Sequence, residues 1–204
     1  LVRELGGDVL YAPEPENMYA PDHATWVEVP ALANTLCGLS RPIHFRGVCT
    51  VVLKLFMLAQ PSLAVFGEKD WQQLAIIKKM VSDLNVPVEV VGRPIVREAD
   101  GLALSSRNVY LTPEERAQAP QIRKSLEMAA GLAAGGERDA ARIIEAVRGY
   151  LAEHLPTGEE DYISIVDPAV LTKVDRIEDM ALCALAIRLG KARLIDNILL
   201  KVGE

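Results

Sequence analysis

With 204 residues, half of them apolar, the chain can bury a sizeable core as one large domain or two small ones. Its 28 acidic against 22 basic residues, a net charge of −6, exclude a general nucleic-acid binder and a protein held on anionic membrane, but leave room for a local basic pocket. Cys37, Cys49 and Cys183 lie in apolar sequence without metal-type spacing and are odd in number, so they read as buried reduced thiols. The longest apolar run, 180–187, is far below the roughly 18 residues that a membrane span needs. A cytoplasmic protein fits.

The first residues read as the end of a helix capped by Gly6-Gly7, followed by a strand at Val9-Leu10-Tyr11. Pro13, Pro15 and Pro21 make 12–23 a loop. A short strand at 26–29 and a short helix over 31–36, ended by Gly38, come next. Ser40-Arg41-Pro42-Ile43-His44-Phe45-Arg46-Gly47 is a basic loop, and Val48, Val51, Val52, Leu55 and Phe56 behind it recur at helical spacing. The N-terminus of that helix faces the loop and favours an anion. Pro61 stops it, and the apolar residues before Gly67 read as a buried parallel strand. Asp70 can cap a helix to about residue 84, with Leu74, Ile77 and Val81 inward, and 86–91 is the next strand. This alternation predicts a parallel sheet flanked by helices.

Gly92-Arg93-Pro94 marks a change of character, which divides the chain into residues 1–93 and 94–204. Thr112-Pro113-Glu114-Glu115 is a capping-box signature, and Pro120 should split the helix that it starts. That helix resumes to Gly135-Gly136, and another spans 140–154. Strands are expected at 162–166, 181–187 and 192–198, the last two as a hairpin, so the second half reads as helices on a small antiparallel sheet.

The stretch 66–108 carries the candidate chemistry. Phe66-Gly67-Glu68-Lys69-Asp70-Trp71-Gln72-Gln73 follows a strand's carboxyl end, where open α/β sheets bind ligands. There Lys69 is either a mobile charge for phosphate oxygens or a solvated loop lysine. Ser105-Ser106-Arg107-Asn108, after Gly101, can donate several hydrogen bonds to a triphosphate or simply cap local backbone. Arg41, His44 and Arg46 offer cations or protons, one of the three being only structural. Gln73 lies one helical turn after Lys69 and Asp70 and can share their face. Arg97-Glu98-Ala99-Asp100 reads as a salt-bridged surface run or a mobile lid. His23 and His154 have no partners in sequence. A Walker-type loop and a Ser-His-Asp order are absent, so spacing alone reaches an α/β binder of a nucleotide or other polyanion and names no reaction.

Several of these motifs together, His44-Phe45-Arg46-Gly47, Gly67-Glu68-Lys69-Asp70 with Gln72-Gln73, Arg97-Glu98-Ala99-Asp100-Gly101, Ser105-Ser106-Arg107-Asn108 and Arg193-Leu194-Ile195-Asp196-Asn197, closely resemble the pantothenate synthetase family over essentially the whole chain. The resemblance implies a Rossmann-like nucleotidyltransferase domain, N-terminally incomplete, with a smaller α+β C-terminal domain. It implies ATP and Mg2+ as cofactors, a pantoyl-adenylate made with release of pyrophosphate, attack by β-alanine with release of AMP, and a homodimer. By the same resemblance Gly67, Glu68, Lys69, Asp70, the backbone at Val96, Leu104, Ser105, Ser106 and Arg107 line the ATP site. Gln73 binds pantoate, Arg41 and His44 lie near the substrates, and Lys69, Arg107 and His44 are the catalytic set. Leu104 stands where the family usually has Met, and Trp71 where Tyr or Phe is usual. The family's N-terminal strand and its His-x-Gly-His motif do not occur in these residues, from which we expect no turnover by this stretch alone. The alternative reading is a non-catalytic nucleotide-binding or dimerisation fragment of such an enzyme.

Overall fold

The computed structural model describes residues 2–203. Leu1, at the start of the expected helix end, lies outside them, and residues 2–6 form turns closed by Gly6 N–H donating to the Arg3 carbonyl. The expected strand at 9–11 is absent. Val9 and Leu10 are 83% and 73% exposed, and extended chain with no ladder partner among the described residues makes no sheet. Residues 26–29 likewise pair with no strand, because a side chain takes the partner's place: Thr50 Oγ1 accepts from Val27 N–H at 3.1 Å.

Three single-turn helices, α1 (Pro15–Met18), α2 (Pro30–Ala33) and α3 (Cys37–Ser40), lead to the first long element. The helix expected over 31–36 stops at Ala33, since Leu36 turns the chain with φ 45°. Gly38 ends nothing. It lies inside α3 against the preceding turn, where an added Cβ would meet the Ala33 carbonyl oxygen at 1.6 Å. Helix α4 (His44–Ala59) starts at His44, ahead of the Gly47 start that spacing suggests, and ends in left-handed Gln60 before Pro61.

Strand β1 (Leu63–Gly67), a 3-10 turn (Glu68–Asp70), helix α5 (Trp71–Asp83) and strand β2 (Glu89–Arg93) make a βαβ unit. The strands pair in parallel, from Leu63 opposite Glu89 to Gly67 opposite Arg93. Strand β2 starts three residues later than 86 because Val86 N–H and Val88 N–H are spent on turn bonds to Val81 and Val86. Strand β1 is not buried on both faces: Ala64 and Phe66 pack inward, whereas Leu63 and Val65 stay about half exposed, with no described residue covering them. The inner face of α5 is Gln72, Leu74, Ile76, Ile77 and Met80, with Val81 only partly buried.

After a 3-10 turn (Ser106–Tyr110) come α6 (Pro113–Gln118), α7 (Gln121–Ala134) and α8 (Ala140–His154). Thr112 and Glu115 form the expected capping box, and Pro120 separates α6 from α7. Strands β3 (Gly158–Val166), β4 (Met180–Leu189) and β5 (Ala192–Lys201) form an antiparallel sheet in that order. The β4–β5 turn is Gly190-Lys191, with Gly190 at φ +54°. On one face Cys183, Leu185 and Ile187 pack against α7 and α8. On the other, Leu182 and Ala184 join Phe45, Ile76 and Met80 in a second core shared with the N-terminal half. Strand β4 is thus covered on both sides, which explains its unbroken apolar run.

Candidate active site

The second face of this sheet is the floor of a cavity of about 190 Å³, and the turn that follows β1 reaches it with Lys69 and Asp70. Side chains alternate along a strand, so Arg193, Ile195 and Asn197 of β5 share the floor with Ala184 of β4, which lies opposite Asn197 in the register. From above come Lys69 and Asp70 of the 3-10 turn, with Trp71 and Gln73 of α5. Arg41, the C-cap of α3, and His44, the first residue of α4, line the cavity too, as does Arg107. The fold therefore gathers Arg41, His44, Lys69, Asp70, Gln73 and Arg107, six of the expected site residues, around one space. Gly67, Glu68, Val96, Leu104, Ser105 and Ser106 do not line it.

The local reasons differ. Asp70 occupies the N-cap of α5 but makes no side-chain cap bond. Ser105 accepts from Arg107 N–H at 3.2 Å, and the Val96 carbonyl accepts from Leu104 N–H at 2.9 Å, so these two are engaged in local turns. Leu104 and Val96 are exposed. The 97–100 run is salt-bridged: Arg116 of α6 binds Glu98 and Asp100, each at 2.6 Å, and the hydrogen bonds to Asn108 and Arg116 hold the Glu98 carboxyl below its usual range. Arg46 is the structural member of its trio, lying over the Trp26 ring at 5.0 Å and 3.5 Å from Glu28. His23 sits edge-on between Tyr19 and Trp26, and His154 lies against Tyr150, both away from the cavity.

Lining cations outnumber carboxylates. Arg41, Lys69 and Arg107 face Asp70, while Arg193 is paired with Asp161 and Asp196 is neutralised by a two-pronged bond from Arg97 at 2.7 and 2.9 Å. A chain of net charge −6 thus presents a positive cavity, which suits an anion. The pKa of His44 is lowered by burial first, then by Arg41, with Asp70 opposing and Arg107 and Arg193 adding to the fall. Its imidazole is neutral near pH 7.

Arg193, Tyr162 and Gln72 also line the cavity, although the sequence assigned none of them a role. Arg193 donates through Nε and Nη2 to Asp161 at 2.9 and 2.6 Å, and its nitrogens lie 3.5 Å from Cys37 Sγ. Burial alone would raise the Asp161 carboxyl, but Arg193, Ser40 and Arg188 more than offset it and hold it low. Tyr162 shares a 3.3 Å hydrogen bond with Cys37, and burial followed by that thiol pushes its hydroxyl well above the usual range. Gln72 is buried: its amide nitrogen donates to the Leu32 and Thr35 carbonyls at 2.9 and 2.7 Å, and its oxygen accepts from Cys37 N–H at 3.0 Å. For the floor, the signals were the Arg193-to-Asn197 motif of the resemblance and the period-two alternation along it. Cys49 and Cys183 are buried as expected, their thiols pushed up to about 11 and about 12, whereas Cys37 is only half-buried and faces the cavity.

A lysine-bearing turn at the end of a parallel strand, facing Arg193 of a second sheet with Arg41 and Arg107 from flanking turns, defines an α/β enzyme that handles an anionic substrate in a cleft. The family model of pantoate-beta-alanine ligase matches residues 1–199, and the chain belongs to that family. A pantothenate synthetase of Nitratidesulfovibrio vulgaris, strain Miyazaki F, is 66% identical over 204 residues, which is all of this chain and 72% of that protein. One from Heliobacterium modesticaldum is 50% identical over 99% of this chain and 72% of its own length. The crystal structure of the Thermus thermophilus pantothenate synthetase superposes with a TM-score of 0.92 at 46% identity, covering 97% of this chain and 71% of that one. The Francisella tularensis pantoate-beta-alanine ligase, solved with a βγ ATP ligand and β-alanine, gives 0.73 at 30% identity over 97% of this chain and 67% of that one.

Proposed function

We propose that this protein condenses pantoate with β-alanine at the expense of ATP, and the observation that carries the reading is the positive cavity between the Lys69 turn and β5. Family membership and the ATP and β-alanine in the Francisella relative support it. In the first step a pantoate carboxylate oxygen attacks the α-phosphorus, pyrophosphate leaves, and an acyl-adenylate remains. In the second, the β-alanine amine attacks the acyl carbon, the carbon–oxygen bond to AMP breaks, and the amine proton is released.

Lys69 and Arg107 offset the charge that develops on the phosphates, and most of the remaining work is positioning. The neutral His44 imidazole has a lone pair for the proton that β-alanine's ammonium must lose before its nitrogen can attack. Gln73, on the first turn of α5 beside Asp70, hydrogen-bonds pantoate, and Arg41 meets a substrate carboxylate. ATP lies along Gly67, Glu68, Lys69 and Asp70, with the Val96 backbone, Leu104, Ser105, Ser106 and Arg107 across from them. Magnesium fits as a passenger on the nucleotide. Asp70 is the one lining carboxylate not held by an arginine, and among the described residues no group of three or more His, Cys, Asp or Glu could hold a metal. One carboxylate plus phosphate oxygens is an ordinary magnesium set, and the ion supplies further charge neutralisation when bound.

The division into a nucleotide and pantoate half, 1–93, and a C-terminal half, 94–204, sets Lys69 and Arg107 on opposite sides of the cleft. Three free thiols suit a cytoplasmic setting, and no helix among the described residues is long and apolar enough to cross a membrane. A homodimer is part of the same proposal and is read by light scattering. The deciding assay follows AMP and pyrophosphate from ATP, pantoate and β-alanine with the intact gene product. We expect Lys69→Ala to slow adenylate formation on the order of 100-fold or more with the fold retained. A wild-type rate in that variant removes Lys69 from the site.

A further inference from the structure

Strand β5 does more than floor the cavity. The Asn197 side chain is buried, and its single amide nitrogen donates to two successive carbonyls, Glu68 O and Lys69 O, at 3.0 Å each. The orientation is fixed by chemistry, since the amide oxygen in that place would face two carbonyl oxygens. Four residues back on the same strand, the Arg193 carbonyl accepts from Arg107 Nη1 at 3.2 Å. Both cations proposed for phosphate are therefore tied to one rigid strand, at attachment points about 13 Å apart by strand rise.

The turn needs such a tie. Asp70 makes no capping bond to α5, so the side chain best placed to fix the 3-10 turn locally does not do so. Asn197 is 128 residues away from Lys69 in sequence and comes from the other sheet. Opposite it stands Ala184, a side chain too small to hold the turn by packing. Asparagine suits the place because an NH2 group offers two donors from one atom. Aspartate would set a charge against two carbonyls, and leucine would leave both unpaired.

We propose that Asn197 is a positioning residue for the adenylation step, setting where the Lys69 ammonium meets the nucleotide phosphates. It touches no reacting atom and acts through the Glu68-Lys69 backbone. This rests on the reading of Lys69 given above.

The test is a double-mutant cycle in the intact gene product, read as pantoate-dependent exchange of pyrophosphate into ATP. Asn197→Ala should lower the exchange rate at saturating substrates roughly 10- to 100-fold in the wild-type background, the range expected when a catalytic group is misplaced by about 1 Å. In the Lys69→Ala background the same substitution should change the rate less than about twofold, because the group that it positions is gone. The cycle is repeated on the ATP dissociation constant, which covers a Lys69→Ala rate too low to measure. Asn197→Ser, which keeps one donor, should fall between Asn197 and Ala and provides a folded variant if the alanine form is unstable. A merely structural role would depress both backgrounds alike, and that result, or no loss in Asn197→Ala, overturns the proposal. If Lys69→Ala exchanges at the wild-type rate, the reading of Lys69 falls and takes the proposal with it. A defective Lys69→Ala with equal losses in both backgrounds removes Asn197 alone.

Discussion

His44 stands on the first turn of α4 with three guanidinium groups in range, and those neighbours make it a reporter of what enters the cavity. Its folded pKa lies below 6.5, so the unfolded chain takes up the proton first. The stability that His44 contributes is therefore present above about 6.5 and is lost as pH falls from there through the folded value. An anion in the cavity offsets Arg41, Arg107 and Arg193 and must raise that pKa. A proton NMR titration should give a His44 midpoint under 6.5 in the free protein and a higher one with pyrophosphate present. A midpoint that does not move would place the anion elsewhere. Gln72 gives a second prediction at this scale. Replacing it with Leu strands two carbonyls and one N–H in a buried place, which should cost about 2 kcal/mol or more, read as a lowered denaturant midpoint. The sequence made Lys69 and His44 legible because each sits in a polar cluster beside a regular element. It hid Gln72, Arg193 and Tyr162 because a buried polar group is recognised only by its partners. Theirs are remote in sequence: Gln72 bonds to the Leu32–Cys37 turn, Tyr162 to Cys37, and Arg193 to Asp161.

Elements differ in how locally they are determined. Helix α6 is specified within one turn: Glu115 N–H donates to Thr112 Oγ1 at 3.3 Å and Thr112 N–H to Glu115 Oε2 at 2.8 Å. Thr112→Ala should thus lower stability by about 1 kcal/mol, measured by chemical denaturation, and leave the AMP-forming rate unchanged. The α6–α7 break at Pro120, helix α8 and the β4–β5 hairpin were legible for the same reason, since proline, helical spacing and a glycine turn act locally. Residues 9–11 and 26–29 carry equally apolar sequence and form no strand. Apolar alternation states only that a segment would pair if offered a ladder, and for Val27 the offer is a threonine hydroxyl. The same gap explains β1, whose run of apolar residues predicts two covered faces but has one. Coverage is a property of the neighbours, which single-segment reading does not contain.

Across the whole molecule, the sheet β3–β5 is covered by α7 and α8 on one face and by Phe45, Ile76 and Met80 on the other, so the two halves cannot lose structure independently without exposing Leu182, Ala184, Val166 and Leu171. The Arg97–Asp196 pair lies at this junction. Arg97 follows β2 and grips Asp196 of β5 through both terminal nitrogens, while Nη1 also donates to the Gly101 carbonyl at 3.0 Å. The Asp196 side chain is 2% exposed and that of Arg97 20%, so water cannot replace a lost partner at the carboxylate. Removing the arginine leaves a buried charge uncompensated, which is far costlier than never having had the pair. Arg97→Met should therefore destabilise the protein by about 3–5 kcal/mol. Adding Asp196→Leu to Arg97→Met should return much of that loss, because an apolar pair of similar volume carries no desolvation cost. Calorimetry should show one cooperative transition in all three proteins, with the calorimetric and van't Hoff enthalpies equal. Two separated transitions in the wild type would mean that the shared core does not couple the halves. A double variant as unstable as Arg97→Met would mean that the ion pair contributes more than the neutralisation of Asp196.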